Sequence, residues 1–245
     1  MIKPYVISRI GRKLPINWVK KDEGSWLAQN LIGDFIIPPI NSYCTKIEQL
    51  AEHTNQKGNQ PLWEGYHGNN IGSSSRKPNT VRSVPAIGNL FAYLVQEKKP
   101  EIIVEFGTAF GVSGMYFLAG LNKNEKGSLL TFDPNEVWAK LAKENLLQIS
   151  NRFKLTVGTF EENIDNILLH NQNIDIAFID AIHTKEFVIP QLEIVIARAK
   201  KGSIIILDDI NFSADMINCW EEVSNDNRFI SSLSIGDRVG MLELK

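Results

Sequence analysis

The hydrophobic pattern of the chain changes near residue 80. From Met1 to about Thr80 the sequence is broken up by Gly, Pro, Asn and Ser, with no sustained strand pattern. From Arg82 onward, short apolar runs alternate with stretches whose apolar residues recur at helical spacing. This alternation is typical of an α/β domain with a mainly parallel sheet. The pattern therefore predicts an irregular or helical N-terminal cap over residues 1–80 and an α/β domain over residues 81–245.

Five short apolar runs predict the parallel strands of this domain. They are Glu101–Phe106, Ser128–Phe132, Phe153–Val157, Ile174–Ile179 and Ser203–Leu207. Ser213 is suited to cap a last helix, and Pro190 predicts a kink or a restart in the helix before it. The C-terminal residues predict two strands joined at Gly236-Asp237 by a turn of type II′. We therefore expect a doubly wound, mostly parallel, seven-stranded Rossmann-like sheet, with an antiparallel edge built by the C-terminal hairpin.

The composition and the net charge of the chain exclude several classes of protein and of binding partner. The chain has 245 residues, 43% of them hydrophobic and 22% charged, which excludes fibrous, disordered and disulfide-scaffold classes. The net charge of −2 gives no general attraction to nucleic acid, so no nucleic-acid partner is expected. No apolar run approaches the ~20 residues of a membrane helix, so no membrane partner is expected either. Cys44 and Cys219 lack metal-ligand spacing and predict free thiols in a cytoplasmic protein.

Polar or glycine residues follow all five predicted strands. Ligands of doubly wound sheets bind beyond the carboxyl ends of the strands, so this is where a site is expected. The loop after the first strand, Glu105–Gly111, lacks the second glycine of a nicotinamide-binding fingerprint, because position 109 is Ala. It also lacks the Gly-Lys pair of a phosphate-binding P-loop, since Val112 follows Gly111. Both of these cofactor classes are disfavoured.

The spacing E-x-G-x-x-x-G in this loop resembles motif I of class I S-adenosylmethionine-dependent methyltransferases. The resemblance implies that S-adenosylmethionine is the cofactor. It also implies that Glu105 receives the ammonium group of the methionine moiety, directly or through water. Gly107, Thr108 and Gly111 would form the turn over which the ligand lies, since glycine permits a tight turn.

Further cofactor contacts follow from the same resemblance. Asp133 stands where the family places the acid that accepts hydrogen bonds from both ribose hydroxyls. In some relatives that acid stands three residues before the Pro, where this chain has Thr131. A turn or helix-capping role is the alternative for Asp133. Gly158 and Phe160 would lie near the adenine.

The segments FIDAIHTKEF and KGSIIILDDINF resemble metal-dependent small-molecule O-methyltransferases, which include enzymes acting on catechol, caffeoyl-coenzyme A and sugars. The resemblance implies that Asp180, Asp208 and Asp209 bind a divalent ion, with Asp180 also near the cofactor. Oxygen ligands favour Mg²⁺, with Mn²⁺ and Ca²⁺ as alternatives. Three unpaired carboxylates would repel one another, and a cation would relieve this. His183 is the candidate general base and Lys185 the reserve candidate.

The sequence therefore predicts an O-methyltransferase that acts on a hydroxyl of a small molecule. The alternatives are a metal-independent methyltransferase of the same fold, and a ligand-binding or assembly module without catalysis. Methyltransferases of nucleic-acid bases are disfavoured because Ile179-Asp180-Ala181 replaces their Asn-Pro-Pro-Tyr-like segment. Trp63, Tyr66 and His67 could contribute to an acceptor pocket in the cap, though packing is the more common role of such aromatic residues. Assembly into a homo-oligomer is left open.

Overall fold

The computed structural model describes residues 11–63 and 75–245. These residues form two compact units, which are described separately. The first unit contains the described residues of Pro38–Pro100 together with Gly107–Asn163. The second unit contains Lys13–Ile37, Glu101–Phe106 and Ile164–Lys245. A domain boundary at residue 80 stays a prediction.

Eleven strands and eight α-helices occur in the described part of the chain. The strands are β1 (Leu14–Lys20), β2 (Phe35–Ile36), β3 (Gln60–Pro61), β4 (Ser75–Arg76), β5 (Ile102–Phe106), β6 (Ser128–Asp133), β7 (Phe153–Val157), β8 (Ile174–Ile179), β9 (Ala199–Leu207), β10 (Phe229–Ile235) and β11 (Val239–Leu244). The helices are α1 (Trp26–Asn30), α2 (Cys44–Gln56), α3 (Pro85–Lys98), α4 (Val112–Asn124), α5 (Glu136–Leu147), α6 (Phe160–Ile167), α7 (Lys185–Arg198) and α8 (Ala214–Ser224).

The five predicted parallel strands correspond to β5, β6, β7, β8 and β9. In the second unit, β5 pairs with β8 and β8 pairs with β9, all in parallel. In the first unit, β6 pairs in parallel with β7. Every residue of β5 and β8 is buried, as expected for strands covered on both faces. The predicted α/β fold with a mostly parallel core and antiparallel C-terminal strands is confirmed.

The C-terminal hairpin is present, but it does not form the edge of the sheet. In the second unit the strand order is β2-β1-β10-β11-β9-β8-β5. β11 pairs antiparallel with β9, and β10 pairs antiparallel with β1 on its other side. The N-terminal region therefore contributes two strands where the sequence pattern predicted none. They cover the polar backbone edge that β10 would otherwise expose.

Two local predictions need correction. α7 runs through Pro190 as one helix and does not restart there, while a kink at this residue stays a prediction. The turn at the hairpin tip has a positive φ at both central residues, +57° at Gly236 and +59° at Asp237. A type II′ turn has a negative φ at its second central residue, so this turn is closer to type I′. The cap at Ser213 is confirmed, since its hydroxyl accepts the Met216 N–H.

Helices α3 and α4 form the most closely packed pair of the first unit. Phe91 of α3 stacks on Phe117 of α4 with ring centroids 4.9 Å apart. Gly88 of α3 faces the Tyr116 ring so closely that an added Cβ would lie 2.3 Å from it. This packing fixes the direction in which α4 leaves the loop that precedes it. No helix among the described residues has the length and apolar character needed to cross a membrane.

Candidate functional site

The glycine loop of the first unit, Gly107–Gly111, is held by backbone hydrogen bonds at the end of β6. The N–H groups of Gly107 and Thr108 both donate to the Phe132 carbonyl, at 3.0 and 3.1 Å. The Thr108 hydroxyl lies 2.6 Å from the Thr131 hydroxyl, and both side chains are buried. Thr131 therefore holds the loop, so the alternative ribose position suggested by the sequence is already used for this hydrogen bond.

The loop reaches α4 through backbone conformations that favour glycine. Gly107 has a φ of +87° and Gly111 a φ of +80°, in the region that L residues rarely adopt. A Cβ on Gly111 would also lie 3.3 Å from the Ala142 backbone of α5. Ala109, with a φ of +45°, takes a left-handed conformation without being glycine. The turn is thus tightly defined, as the resemblance to motif I requires.

Asp133, the last residue of β6, fastens this loop to the turn that follows the strand. One carboxylate oxygen accepts the Ala109 N–H at 2.7 Å, and the other accepts the Asn135 N–H at 2.8 Å. Burial raises the pKa of Asp133 to about 6, although these two hydrogen bonds oppose the shift. The turn role considered from the sequence is therefore present. The ribose role stays a prediction.

The two residues expected near the adenine have different environments. The Gly158 N–H donates to the Asp133 carbonyl at 3.0 Å, and Gly158 has a φ of +135°. Phe160 is buried and packs edge-on against Phe132, with centroids 5.5 Å apart. Gly158 is thus held beside Asp133. Phe160 contributes its ring to the core of the first unit, and adenine contact by either residue stays a prediction.

In the second unit, the ends of the parallel strands are aligned by backbone hydrogen bonds. The Asp180 N–H donates to the Phe106 carbonyl at 3.0 Å, and the Asp208 N–H donates to the Ile179 carbonyl at 3.1 Å. Glu105 lies within β5, pairs across from Phe178 and is completely buried. Its role toward a methionine ammonium stays a prediction.

His183 connects two of the three aspartates that were expected to bind a metal. Its Nε2 lies 3.0 Å from Oδ1 of Asp180, and its Nδ1 lies 3.5 Å from Oδ2 of Asp209. The imidazole also lies beside the ring of Phe212, with the two ring centroids 5.4 Å apart. Phe212 is 65% exposed, which leaves most of its ring available beside His183.

Arg238, which sequence reasoning missed, completes this cluster. Its Nε donates to Oδ1 of Asp208 at 3.0 Å, and its Nη2 donates to Oδ2 of Asp208 at 2.7 Å. The same Nε lies 2.8 Å from Oδ1 of Asp209. We refer to Asp180, His183, Asp208, Asp209 and Arg238 as the Asp–His–Arg cluster. The register Gly240↔Leu207 between β11 and β9 brings Arg238 opposite Asp209, two residues further along each strand.

Burial and the neighbouring charges together shift the pKa values of the cluster. Desolvation, and then the charge of Asp208, raises the pKa of Asp180, while the hydrogen bond from His183 opposes this. Desolvation and Asp208 likewise raise the pKa of Asp209. Burial lowers the pKa of His183, but its hydrogen bond with Asp180 and the surrounding carboxylates outweigh this and raise it. Desolvation of Arg238 is similarly outweighed by Asp208, and its pKa is raised.

The donor set of this cluster does not fit a divalent ion. The oxygens that would coordinate the ion accept hydrogen bonds from Arg238 and His183 instead. No group of three or more His, Cys, Asp or Glu side chains within residues 11–63 and 75–245 is arranged to hold a metal. The repulsion expected among three carboxylates is relieved by an arginine of the chain itself.

Lys185 is the reserve candidate for the general base. Lys185 begins α7, and its ammonium pairs with Glu222 at 2.5 Å, which raises the pKa of Lys185. Its ion-pair partner is thus a residue outside the Asp–His–Arg cluster. Trp63 is half-buried, and Tyr66 and His67 lie outside the described residues. Cys44 and Cys219 are both free thiols, and both are buried.

Comparison with known proteins supports the family resemblance. A model of the methyltransferase domain family matches residues 104–210, which include the glycine loop, Asp133 and the three cluster aspartates. A "Putative O-methyltransferase" of Mycobacterium sp. (strain JLS) is 31% identical over 99 residues, 39% of this chain and 43% of that protein. Another from Mycobacterium avium (strain 104) is 28% identical over 128 residues, 50% of this chain and 54% of that protein. The chain thus matches only about half the length of these relatives.

Solved structures of similar fold include two O-methyltransferases. TomG from Streptomyces achromogenes, in complex with S-adenosylmethionine, has a TM-score of 0.61 and 14% identity, covering 84% of this chain and 90% of that chain. The O-methyltransferase from Bacillus cereus, in complex with S-adenosylhomocysteine, has a TM-score of 0.60 and 20% identity, covering 90% and 96%. At these identities the likeness shows the fold alone, and it confirms the predicted Rossmann-like fold. The methyltransferase domain model covers less than half of the chain, and it supports the class that the sequence resembles.

Proposed function

We propose that this chain is an S-adenosylmethionine-dependent O-methyltransferase that methylates a hydroxyl of a small molecule. The observation that carries the proposal is the glycine loop. Its E-x-G-x-x-x-G spacing, its two left-handed glycines and its attachment to Asp133 lie within the segment matched by the methyltransferase domain model. The word O-methyltransferase stands in the names of the two curated relatives and of the two solved structures described above, and this supports oxygen as the acceptor atom.

The reaction requires little chemical activation of the methyl donor. The acceptor oxygen attacks the methyl carbon, the carbon–sulfur bond breaks, and its electron pair remains on sulfur as the thioether of S-adenosylhomocysteine. Most of the rate enhancement then comes from aligning oxygen, carbon and sulfur. We assign cofactor binding to Glu105, to the glycine loop and to Asp133. In this assignment Asp133 accepts the ribose hydroxyls with its ionised carboxylate.

The proton of the acceptor hydroxyl goes to the Asp180–His183 pair. Both ring nitrogens of His183 face carboxylates, so the imidazole and Asp180 exchange a proton as one unit. Carboxylates around His183 raise its pKa, which makes the neutral ring a stronger base. The exposed ring of Phe212 beside His183 offers an apolar face for the acceptor. No step is assigned to a metal ion, since the donor set does not fit one.

Methyl transfer can be tested directly with methyl-labelled S-adenosylmethionine and a panel of small phenols, sugars and hydroxy acids. We expect label in at least one acceptor, with an equal amount of S-adenosylhomocysteine formed. Wild type that binds S-adenosylhomocysteine but labels no acceptor across the panel would contradict the proposal. That result would favour the alternative of a ligand-binding module without catalysis.

A further inference from the structure

The three aspartates of the Asp–His–Arg cluster contain six carboxylate oxygens, and five of them have a nitrogen of this chain within 3.5 Å. Arg238 accounts for both oxygens of Asp208 and for Oδ1 of Asp209. His183 accounts for Oδ1 of Asp180 and Oδ2 of Asp209. The lone pairs that a divalent ion would require are therefore directed at side chains of the protein.

The backbone around Arg238 fixes this arrangement. The Arg238 N–H donates to the Ile235 carbonyl at 3.3 Å, which closes the hairpin tip. The Arg238 carbonyl accepts the Ile210 N–H at 3.0 Å, which ties the tip to the residues after β9. Asp209 itself has a φ of +50°, a conformation that non-glycine residues rarely adopt. The arginine and its two aspartates are thus held on two short, mutually bonded segments.

We propose that Arg238 is the resident cation of the cluster. It takes the place that the family resemblance predicted for a divalent ion, and through Asp209 it positions His183. A planar guanidinium suits this role, because it donates two parallel hydrogen bonds to one carboxylate and shares its Nε with a second. Asp208 is only 3% exposed, so its charge is stabilised mainly by the arginine.

This inference extends the proposed function. Its consequence for catalysis rests on the proposed function. Without an ion to chelate two oxygens, the acceptor is not required to present neighbouring hydroxyls. One hydroxyl within reach of the Asp180–His183 pair is sufficient. The cation role of Arg238 can be tested without any cofactor or acceptor, so its failure and the failure of the methyltransferase proposal are distinguishable.

The experiment measures Mn²⁺ binding by calorimetry and the thermal midpoint in chelator and in millimolar Mn²⁺. The proteins are wild type, Arg238→Gln, Arg238→Lys and the control Arg228→Gln. The control removes an arginine that pairs with Glu193 and Asp226 on the exposed surface of the same unit. Because Arg238→Lys keeps the positive charge, it remains informative if Arg238→Gln does not fold.

We expect wild type and Arg228→Gln to show no saturable Mn²⁺ binding and the same midpoint in chelator and in Mn²⁺. Arg238→Gln leaves a buried carboxylate unpaired, so its midpoint falls by on the order of 5–10 °C. Mn²⁺ then binds the vacated carboxylates and restores part of that loss. Arg238→Lys should lie between wild type and Arg238→Gln. The proposal is overturned if wild type binds Mn²⁺ saturably and is stabilised by it. It is also overturned if the Arg238 variants match the Arg228→Gln control.

Discussion

Asp133 serves two backbone segments with one carboxylate, since one oxygen holds the glycine loop and the other holds the turn before α5. Its raised pKa of about 6 gives a prediction for cofactor binding. In the proposed function the ionised form accepts the ribose hydroxyls, so affinity for S-adenosylhomocysteine should fall as the pH decreases through this value. Below about pH 6, the dissociation constant should rise toward tenfold for each pH unit.

Calorimetric titrations from about pH 8 to about pH 5 check this dependence. Asp133→Asn is the matched variant, because it keeps the shape and cannot ionise. It should bind more weakly than wild type at neutral pH and lose the pH dependence assigned to Asp133. An affinity of the wild type that stays constant over the whole range would exclude the ribose role.

His183 gives a second prediction at the scale of a single residue. Replacing it with Gln keeps a polar side chain near Asp180 but removes the titrating ring. The rate constant kcat should fall by about 10²–10⁴-fold, with little change in the affinity for S-adenosylhomocysteine. Since the base acts in its unprotonated form, the wild-type rate should fall as pH decreases, and the variant should lose this limb. An unchanged pH–rate profile in the variant would remove His183 from the reaction.

Helices α3 and α4 pack closely because Gly88 of α3 lies at their contact. A Cβ at Gly88 would lie 2.3 Å from the Tyr116 ring. That ring cannot easily move, because the Tyr116 hydroxyl donates to Glu48 at 2.9 Å. Gly88→Ala should therefore lower the free energy of unfolding by about 1–3 kcal/mol, despite the better helix propensity of Ala.

Denaturant unfolding measures this effect, with Glu97→Ala on the exposed face of α3 as the control. The control should change stability by less than about 0.5 kcal/mol. Equal stability of Gly88→Ala and wild type would show that the two helices can separate at little cost.

At the scale of elements, the sequence predicted the five parallel strands to within a few residues. Each is a short, mainly apolar run that is followed by Gly or Asp, and this signal is local. β1 was missed because its partner β10 lies more than 200 residues away in the sequence. Pro190 was expected to kink α7 or to make it restart, and the helix continues through it without a restart. Local sequence signals thus predicted the five parallel strands. They did not predict β1, which pairs with a strand that is distant in the sequence.

At the scale of the whole chain, the candidate site was likewise predicted only in part. Asp180, Asp208 and Asp209 were predicted because their segments resemble those of metal-dependent O-methyltransferases, and β8 and β9 do bring them together. Arg238 was not predicted, since only the register between β9 and β11 places it at the same aspartates. The pattern of charges alone cannot distinguish a carboxylate cluster that holds a metal ion from one that holds an arginine.

The last strand also fastens the N-terminal segment of the second unit. The Glu243 carboxylate on β11 accepts the N–H groups of Trp26 and Leu27, at 2.9 and 2.8 Å, at the start of α1. Glu243→Ala leaves these donors without their acceptor and should destabilise the protein by about 1.5–3 kcal/mol. Glu243→Gln keeps one acceptor oxygen, so its free energy of unfolding should fall by about half as much as that of Glu243→Ala.

Urea unfolding of these two variants and of Glu221→Ala, an exposed control on α8, gives the comparison. A loss in Glu243→Ala no larger than in the control would mean that the N-terminal segment does not depend on this carboxylate.

Calorimetric titration of the wild type with S-adenosylhomocysteine tests the central claim most directly, with a nicotinamide dinucleotide as the comparison ligand. We predict one site per chain with micromolar-range affinity for S-adenosylhomocysteine, and no heat from the dinucleotide. No heat and no thermal stabilisation at millimolar S-adenosylhomocysteine would contradict the assignment of the glycine loop and Asp133 to this cofactor.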